Sequence, residues 1–441
     1  MLDMFIFIIL TILPGYLLFM IFFNESRKKL IERLAIAYGL GFFVITIQLF
    51  VILFIFRMSF SDWFYAVFAA EDILLFIYIF KKNISLDIRL NFRFLKEIHA
   101  KEAIVIFFIF LQLFFSSSNA LSRSIINYDS LNIWSLRAKI LYFENRAGFD
   151  SNDKFKYLGG SWHTNYPWHV PLAQYWFQAN RGEYDDYGVN MIFVLYFVAL
   201  LALVFSFCRR YTSVFSSLVF TFLLSTMPLI LYHSWNAYAD MVLSYYLLIS
   251  FFYLFEWFRD RNKKDLIISG LFGGISFFVK IDAIVFMIAG ILSVSLFLLT
   301  SEFAKNKIKT FVYYFFSFIV PIFPWIVFLF FYNLGIRNIS DGIGWHVEIY
   351  KNLLTNFFVN NSWNIWWYIA VFLFIINIKK IIKNKVLLFG WAFFFLSFSG
   401  FLILYLFTDE YQFVLNNTAV ARNIILFTPL SVFLIAVTDS K

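Results

Sequence analysis

The feature that most constrains this sequence is an alternation of long apolar segments with short charged gaps, in which every second gap is basic. The basic gaps are residues 27–33, 81–101, 209–210, 259–264, 305–309 and 379–385. The other gaps contain acidic residues, most of the tryptophans and a long polar loop, residues 116–188. Because cytoplasmic loops of membrane proteins are enriched in Lys and Arg, this alternation predicts a polytopic protein with its basic gaps in the cytoplasm.

Composition agrees with a membrane location. The chain has 441 residues and is 62% hydrophobic and 14% charged, which is more apolar surface than a soluble domain can bury. We expect an all-α fold of about thirteen spans, with the N-terminus outside and the C-terminus in the cytoplasm of a plasma or inner membrane. The expected spans are residues 4–23, 34–56, 63–80, 102–118, 189–208, 211–231, 238–258, 265–279, 281–300, 309–332, 364–380, 386–407 and 422–438.

The charge and the cysteine content exclude two other classes of site. The net charge of +9 does not indicate a nucleic-acid partner, because the expected cytoplasmic gaps hold most of the basic residues. The single cysteine, Cys208, excludes an intramolecular disulfide and a cysteine-based metal site. It precedes Arg209, so we expect it at the cytoplasmic edge.

Loop 116–188 is long enough to fold on the outer side. Residues 129–142 have the apolar spacing of an amphipathic helix, which we expect to lie on the membrane surface. Arg137 and Lys139 would then face lipid headgroups. A second surface helix is expected to begin at Pro171.

Several charged residues lie where the outer loops meet the expected spans. The acids are Asp129, Asp240 and Asp282, and the bases are Arg137, Lys139, Lys280 and Arg422. A carboxylate at this depth is unfavourable unless it is paired or faces water, so each is a functional candidate. Carboxylates and cations beneath a folded loop suit one reaction, in which a carboxylate takes a proton from a hydroxyl while cations hold a departing phosphate. The structural alternatives are that Asp129 and Asp240 cap helices and that Lys280 pairs with Asp282.

Four outer segments occur in an order that a known family shares. The first is Tyr128–Lys139, with an Asp, a Trp five residues on and an Ala-Lys pair, and the second is His163–Pro167, similar to His-Pro-Asp-Tyr-Pro. The third is Tyr238–Met241, similar to Tyr-Ala-Asp-Leu-Pro, and the fourth is Lys280–Asp282, similar to Lys-Asn-Glu. In these segments the chain resembles GT-C-fold glycosyltransferases of the protein-mannosyltransferase and aminoarabinose-transferase type. Thr164 and Asn165 replace the family's Pro and Asp, so no carboxylate role falls in the second segment.

The resemblance implies a GT-C-like helical bundle with a folded first outer loop. It implies that Asp129 is the base and that Asp240 orients the acceptor or the donor, or holds a metal. Lys280 and Arg422 would hold the lipid phosphate, and the assignment of Arg422 rests on its position in the sequence alone. The other residues expected at the donor site are Asp282, Arg137, Lys139, His163 and Tyr166.

The resemblance also implies the substrates. The donor is a sugar on a polyprenyl phosphate, the acceptor is a hydroxyl of a glycan, lipid or protein, and membrane lipid surrounds the enzyme. A base that activates the acceptor leaves no enzyme nucleophile, so the transfer should invert configuration. This chemistry requires no certain cofactor, and participation of a divalent cation stays open.

The expected organisation has three parts, and two other functions stay open from the residues alone. Residues 1–101 form a three-span extension, residues 102–332 the catalytic module, and residues 333–441 the C-terminal spans with a second outer loop, 333–363.

A transporter or a flippase for lipid or polysaccharide could use the same charged residues to line the path of its substrate through the membrane. A polysaccharide polymerase or ligase of another fold could also have basic residues and outer loops.

Overall fold

A computed structural model of the chain describes residues 2–23, 30–84, 98–145, 165–300, 306–334 and 344–440. In these ranges all regular structure is helical, which confirms the expected all-α fold. The α-helices are α1 Leu2–Phe23, α2 Leu30–Phe50, α3 Trp63–Lys81, α4 Ala100–Ser122, α5 Leu136–Glu144, α6 His169–Arg181, α7 Met191–Cys208, α8 Val214–Ser225, α9 Pro228–His233, α10 Ala239–Asp260, α11 Lys263–Val279, α12 Ala283–Thr300, α13 Lys307–Phe331, α14 Tyr350–Phe358, α15 Trp366–Ile376, α16 Ile378–Lys383, α17 Lys385–Phe407, α18 Tyr411–Leu415 and α19 Val420–Asp439.

Ten helices in the described ranges are long and apolar enough to cross a membrane. They are α1 to α4, α7, α10, α12, α13, α17 and α19. Three other expected spans correspond to the shorter helices α8, α11 and α15, which have 12, 17 and 11 residues. The chain is therefore a polytopic membrane protein, as its charge pattern predicts.

Helix α10 is the centre of the bundle. Every residue from Ala239 to Phe258 is buried, and α10 packs against α7, α11, α17 and α19. Because no face of α10 is left for lipid, an acid in its first turn, Asp240, lies inside protein rather than in the bilayer.

Glycines permit the closest contacts between helices. A methyl group on Gly41 of α2 would overlap the carbonyl oxygen of Thr11 in α1, and one on Gly274 of α11 would overlap the carbonyl oxygen of Phe318 in α13. Membrane helices associate through such packing because lipid is as apolar as their side chains. The α11–α13 pair in this way fixes the end of α11, where Lys280 follows.

The end of loop 116–188 is inserted among the spans. α6 begins at His169, before the expected start at Pro171, and residues 169–178 are all buried. His169 Nδ1 lies 2.8 Å from Thr46 Oγ1 in α2, and Trp176 donates to Thr11 Oγ1 in α1 at 3.2 Å. The expected second surface helix is therefore wrong, because hydroxyl groups inside the spans supply partners for the polar side chains of α6.

The first helix of the loop begins with a π-helical turn, Ser130–Ser135, that continues into α5. A π-turn adds one residue to the helix, which rotates the following side chains by about 100° relative to α-helical spacing. Arg137 consequently faces inward and is only 1% exposed, so its expected contact with headgroups is wrong. Lys139 is exposed and lies over the ring of Tyr184, 5.0 Å from its centre.

Candidate functional site

Five charged side chains from distant parts of the sequence form one row in which acids and bases alternate: Asp129, Arg422, Asp240, Lys280 and Asp282. Arg422 Nη1 donates to Asp129 Oδ2, and its Nε donates to Asp240 Oδ2 at 2.9 Å. Lys280 Nζ lies 2.8 Å from Asp240 Oδ1 and 2.6 Å from Asp282 Oδ2. We call these five residues the charged row.

The ends of the helices place each member of the charged row. Asp240 is in the first turn of α10, Lys280 directly follows α11, and Arg422 is in the first turn of α19. Asp129 precedes the π-turn of the loop helix. The structure thus brings together the three acids expected at the junctions of loops and spans with two of the four expected bases. We call the end of the bundle where these helix ends lie the outer end, because the charge pattern predicts that it faces the outer side of the membrane.

Asp240 is the buried centre of the charged row. Its carboxylate is inaccessible and is bonded to one cation on each oxygen, which offsets the cost of burying an ionised group. It does not begin α10, because the residue at the helix start is Tyr238. The capping alternative for Asp240 is therefore wrong.

Lys280 stays charged in this setting. Burial by itself lowers the pKa of Lys280, but the carboxylates of Asp240 and Asp282 outweigh burial and raise that pKa above its ordinary value. The expected pairing of Lys280 with Asp282 is present, and Asp240 adds a second carboxylate.

Asp129 is the accessible acid at one end of the charged row. Its side chain is 23% exposed, whereas that of Asp240 is 0% exposed. Asp129 precedes its helix but makes no side-chain capping hydrogen bond, so the capping alternative is wrong. A substrate that enters from solvent can reach Asp129 but not Asp240.

His233 is a neighbour of the charged row that sequence reasoning missed. It ends α9, its Nδ1 lies 4.0 Å from Asp240 Oδ2, and its ring packs on Tyr238 with ring centres 4.7 Å apart. Within the described ranges Nδ1 has no hydrogen-bond partner. Burial lowers the pKa of His233 to about 3, so the imidazole is neutral at pH 7. Its position in the turn before Asp240 was the available sequence signal.

Tyr166 contacts the loop helix and lies within electrostatic range of the charged row. Its ring stacks on Trp134 with centres 5.7 Å apart and planes 8° from parallel, and its carbonyl accepts from Arg137 Nη1 at 3.1 Å. Tyr166 is also among the groups that raise the pKa of Lys280. The remaining expected residue, His163, lies outside the described residues.

The charges of the row do not cancel. Three carboxylates meet two cationic side chains, so the row carries a formal charge of about −1 at pH 7, given ordinary ionisation. The described part of the chain contains no group of three or more His, Cys, Asp and Glu residues that could hold a metal ion. In the row, Lys and Arg side chains are the partners of the carboxylates.

Comparison with known proteins gives one match. Residues 169–330 match the family model of dolichyl-phosphate-mannose-protein mannosyltransferases. The matched range contains Asp240, Lys280 and Asp282, whereas Asp129 and Arg422 lie outside it. No curated protein and no solved structure matches the chain. The family match confirms the resemblance to this type of glycosyltransferase, and it contains two of the four outer segments, Tyr238–Met241 and Lys280–Asp282.

Proposed function

We propose that this chain, a membrane glycosyltransferase of the GT-C type, moves a sugar from a polyprenyl-phosphate donor to an acceptor hydroxyl on the extracytoplasmic face, with inversion and with Asp129 as base. The observation that supports this proposal is the ion pair between Asp129 and Arg422. It attaches the partly exposed acid at the start of the loop helix to cations at the ends of the spans.

In the proposed reaction, the acceptor oxygen forms a bond to the sugar carbon while the bond from that carbon to the phosphate oxygen breaks. The acceptor proton passes to Asp129, and the bonding electron pair leaves with the phosphate. An ionised carboxylate can take the proton late in the transition state, when the hydroxyl has become acidic. Because phosphate is a good leaving group, no second carboxylic acid is needed, and nearby cations stabilise its charge.

Asp240 and Asp282 act on the reaction through the two cations. Asp240 holds both Arg422 and Lys280, and Asp282 bonds Lys280 from the other side. An ammonium group has three N–H donors, so Lys280 retains one for the donor. We propose that Lys280 and Arg422 set the positive potential at the leaving phosphate, while Asp240 fixes their positions.

Asp129→Asn tests this function. We expect transfer to fall by at least about a hundredfold, which is the usual loss when a general base is removed, while expression and the unfolding temperature stay close to those of the unmodified protein. Mass spectrometry of envelope glycans from cells that carry only the variant measures the transfer whichever sugar is moved. The matched control is Glu183→Gln, an exposed acid in the same loop. A near-normal amount of the glycan in Asp129→Asn cells would eliminate Asp129 as the base.

A further inference from the structure

Arg137 is a buried cation that lacks a counter-ion in the described structure. Its side chain is 1% exposed, and its guanidinium carbon lies 4.9 Å from the centre of the Trp168 ring. Nη1 donates to the carbonyl of Tyr166. Among the described residues, neither Nε nor Nη2 has a hydrogen-bond partner.

The free edge of Arg137 has a specific shape. Nε and Nη2 are on adjacent corners of the planar guanidinium, so their N–H groups point in parallel and match two oxygens of one phosphate or carboxylate group. Burial lowers the pKa of Arg137 to about 9, with Tyr166 acting in the opposite direction. The group is therefore still charged at pH 7, and a buried charge without a partner is unfavourable until an anion binds.

Other buried hydrogen-bonding groups without partners lie in the same loop helix and in the segment that contacts it, and one of them, Trp168, packs on Arg137. In the described ranges these are the hydroxyls of Ser130 and Ser135 and the indole nitrogens of Trp134 and Trp168. All four side chains are buried. Folded proteins pair nearly all such groups, so their concentration in the loop helix and the segment packed against it indicates a place for a polar ligand.

The position of Arg137 relative to the charged row identifies the ligand group. Arg137 lies in the helix that follows Asp129, and Asp129 is ion-paired with Arg422 of the charged row. Tyr166, whose carbonyl accepts from Arg137, also acts on the pKa of Lys280. Lys280 and Arg422 are both bonded to carboxylates, and acids outnumber bases in the row. An anionic phosphate near this row would therefore gain from a further cation whose N–H groups are not shared with carboxylates.

We propose that Arg137 binds the phosphate of the lipid-linked donor, with its Nε and Nη2 edge on the two non-bridging oxygens. This inference rests on the proposed function, because it assigns a contact to the donor of that reaction. It places the phosphate on the Lys280 side of the charged row and leaves Asp129 for the acceptor. The chemistry recognised is a phosphate ester, for which free inorganic phosphate is the alternative source.

The test is a comparison of three probes with the full-length protein in lipid nanodiscs: a C55 polyprenyl phosphate, the corresponding C55 polyprenol and inorganic phosphate. We expect the unmodified protein to bind the polyprenyl phosphate more tightly than the polyprenol. Arg137→Gln should reduce this preference by at least about tenfold, because two charge-assisted hydrogen bonds are lost. Arg137→Lys should restore only part of the preference, since an ammonium keeps the charge but not the two parallel N–H groups.

The matched control is Arg123→Gln, which changes an exposed arginine that lies over the ring of Trp235 and should keep the full preference. A full preference in Arg137→Gln would overturn the inference. A second outcome would also overturn it: inorganic phosphate binds in a way that depends on Arg137, while the polyprenyl phosphate binds no more tightly than the polyprenol. The ligand of Arg137 would then be free phosphate.

A second variant separates binding from folding. Arg137→Met replaces the buried charge by an apolar side chain, so the protein without ligand should unfold at the same temperature or a higher one and should lose the phosphate preference. A lower unfolding temperature with an intact preference would give Arg137 a structural role only and would overturn the inference.

The test of the Arg137 site gives its result whether or not Asp129 is the base. Asp129→Asn should bind the polyprenyl phosphate at least as tightly as the unmodified protein does, because the substitution removes a negative charge beside Arg422 and leaves Arg137 unchanged. If Asp129→Asn also transfers sugar normally, the proposed mechanism fails while the Arg137 site stands. If Asp129→Asn is inactive and Arg137→Gln keeps the preference, only the Arg137 site fails.

Discussion

At the scale of single residues, one inaccessible carboxylate organises the candidate site. Asp240 bonds Arg422 on one oxygen and Lys280 on the other, and those cations then meet Asp129 and Asp282. Every member of the charged row is thus held by a neighbour of opposite charge. Asp129, Arg422 and Asp282 remain partly exposed, and these are the positions that a substrate can reach.

We expect Asp240→Asn to destabilise the protein more than Asp129→Asn does. Removal of one partner from a buried ion pair costs about 3 kcal/mol or more, whereas loss of a partly exposed pair costs about 1 kcal/mol or less. Asp240→Asn should also impair transfer less than Asp129→Asn, because Asp240 acts through its cations. Thermal unfolding and glycan analysis of both variants measure the two effects. Equal stability of the two variants would contradict the central role of Asp240.

His233 should make the protein sensitive to acid. Its pKa of about 3 in the folded chain lies below the ordinary value of 6.5, so between these values the unfolded state binds more protons. The free energy of unfolding therefore falls as the pH is lowered through this window. Asp240 favours the charged imidazole, but burial, Arg422 and Lys280 outweigh it.

The corresponding variant is His233→Gln. It should lose less of its unfolding temperature between pH 7 and pH 5 than the unmodified protein, because glutamine does not titrate. Thermal unfolding in nanodiscs at the two pH values measures the difference. An identical acid response in both proteins would show that His233 does not carry the effect.

At the scale of elements, the loop is part of the bundle. Helix α6 packs against α1, α2, α5 and α11, and His169 bonds Thr46 of α2 and the hydroxyls of Tyr196 and Tyr246 at 3.0 and 3.2 Å. Because His169 is held at the start of α6, the preceding segment 165–168, with Tyr166 and Trp168, is anchored at its C-terminal end. The expected N-terminal extension thus has a function in the fold, since α1 and α2 hold the helix that follows Tyr166.

Thr46→Val should loosen this attachment. The substitution removes the hydroxyl beside His169 Nδ1 and leaves a buried polar atom unpaired, which costs about 1–3 kcal/mol. Limited proteolysis should then cut the segment 165–188 faster than in the unmodified protein. The control is Thr300→Val, whose hydroxyl is exposed and bonds only its own helix. Equal cleavage in Thr46→Val and Thr300→Val would mean that the Thr46–His169 contact does not hold α6.

At the scale of the whole molecule, the bundle encloses α10 and leaves other spans to lipid. Little of α3 and α4 is buried, and α10 has no exposed face. The other end of the bundle has its own ion pairs, in which Arg210 joins Glu32 at 2.6 Å and Glu256 at 3.1 Å. The two ends therefore hold the same core helix through different charged clusters.

Cysteine labelling tests the orientation of the bundle. Cys208 is inaccessible, so it should resist a thiol reagent from either side and cannot report orientation. In a Cys208→Ser background, an impermeant reagent added to intact cells should label Gln412→Cys and spare Lys264→Cys, because both positions are exposed but at opposite ends of the expected topology. The reverse pattern would place the charged row in the cytoplasm and would contradict an extracytoplasmic reaction.

The sequence by itself predicted the helices, the sides on which their ends are expected and all five members of the charged row as candidates. Spans follow from local hydropathy. Asp129, Asp240 and Lys280 stood out because a charge at the end of an apolar run is unfavourable unless it is paired or faces water. These signals are local, so a single sequence carries them.

Only the tertiary structure decided which of these residues meet. Asp129 and Arg422 are 293 positions apart in the sequence, and no local pattern relates them. The inward position of Arg137 depends on one π-turn that shifts the helix register by a single residue, which apolar spacing did not reveal. The burial of His233 and of α6 likewise depends on partners from distant helices, because burial is a property of packing and not of the segment that is buried.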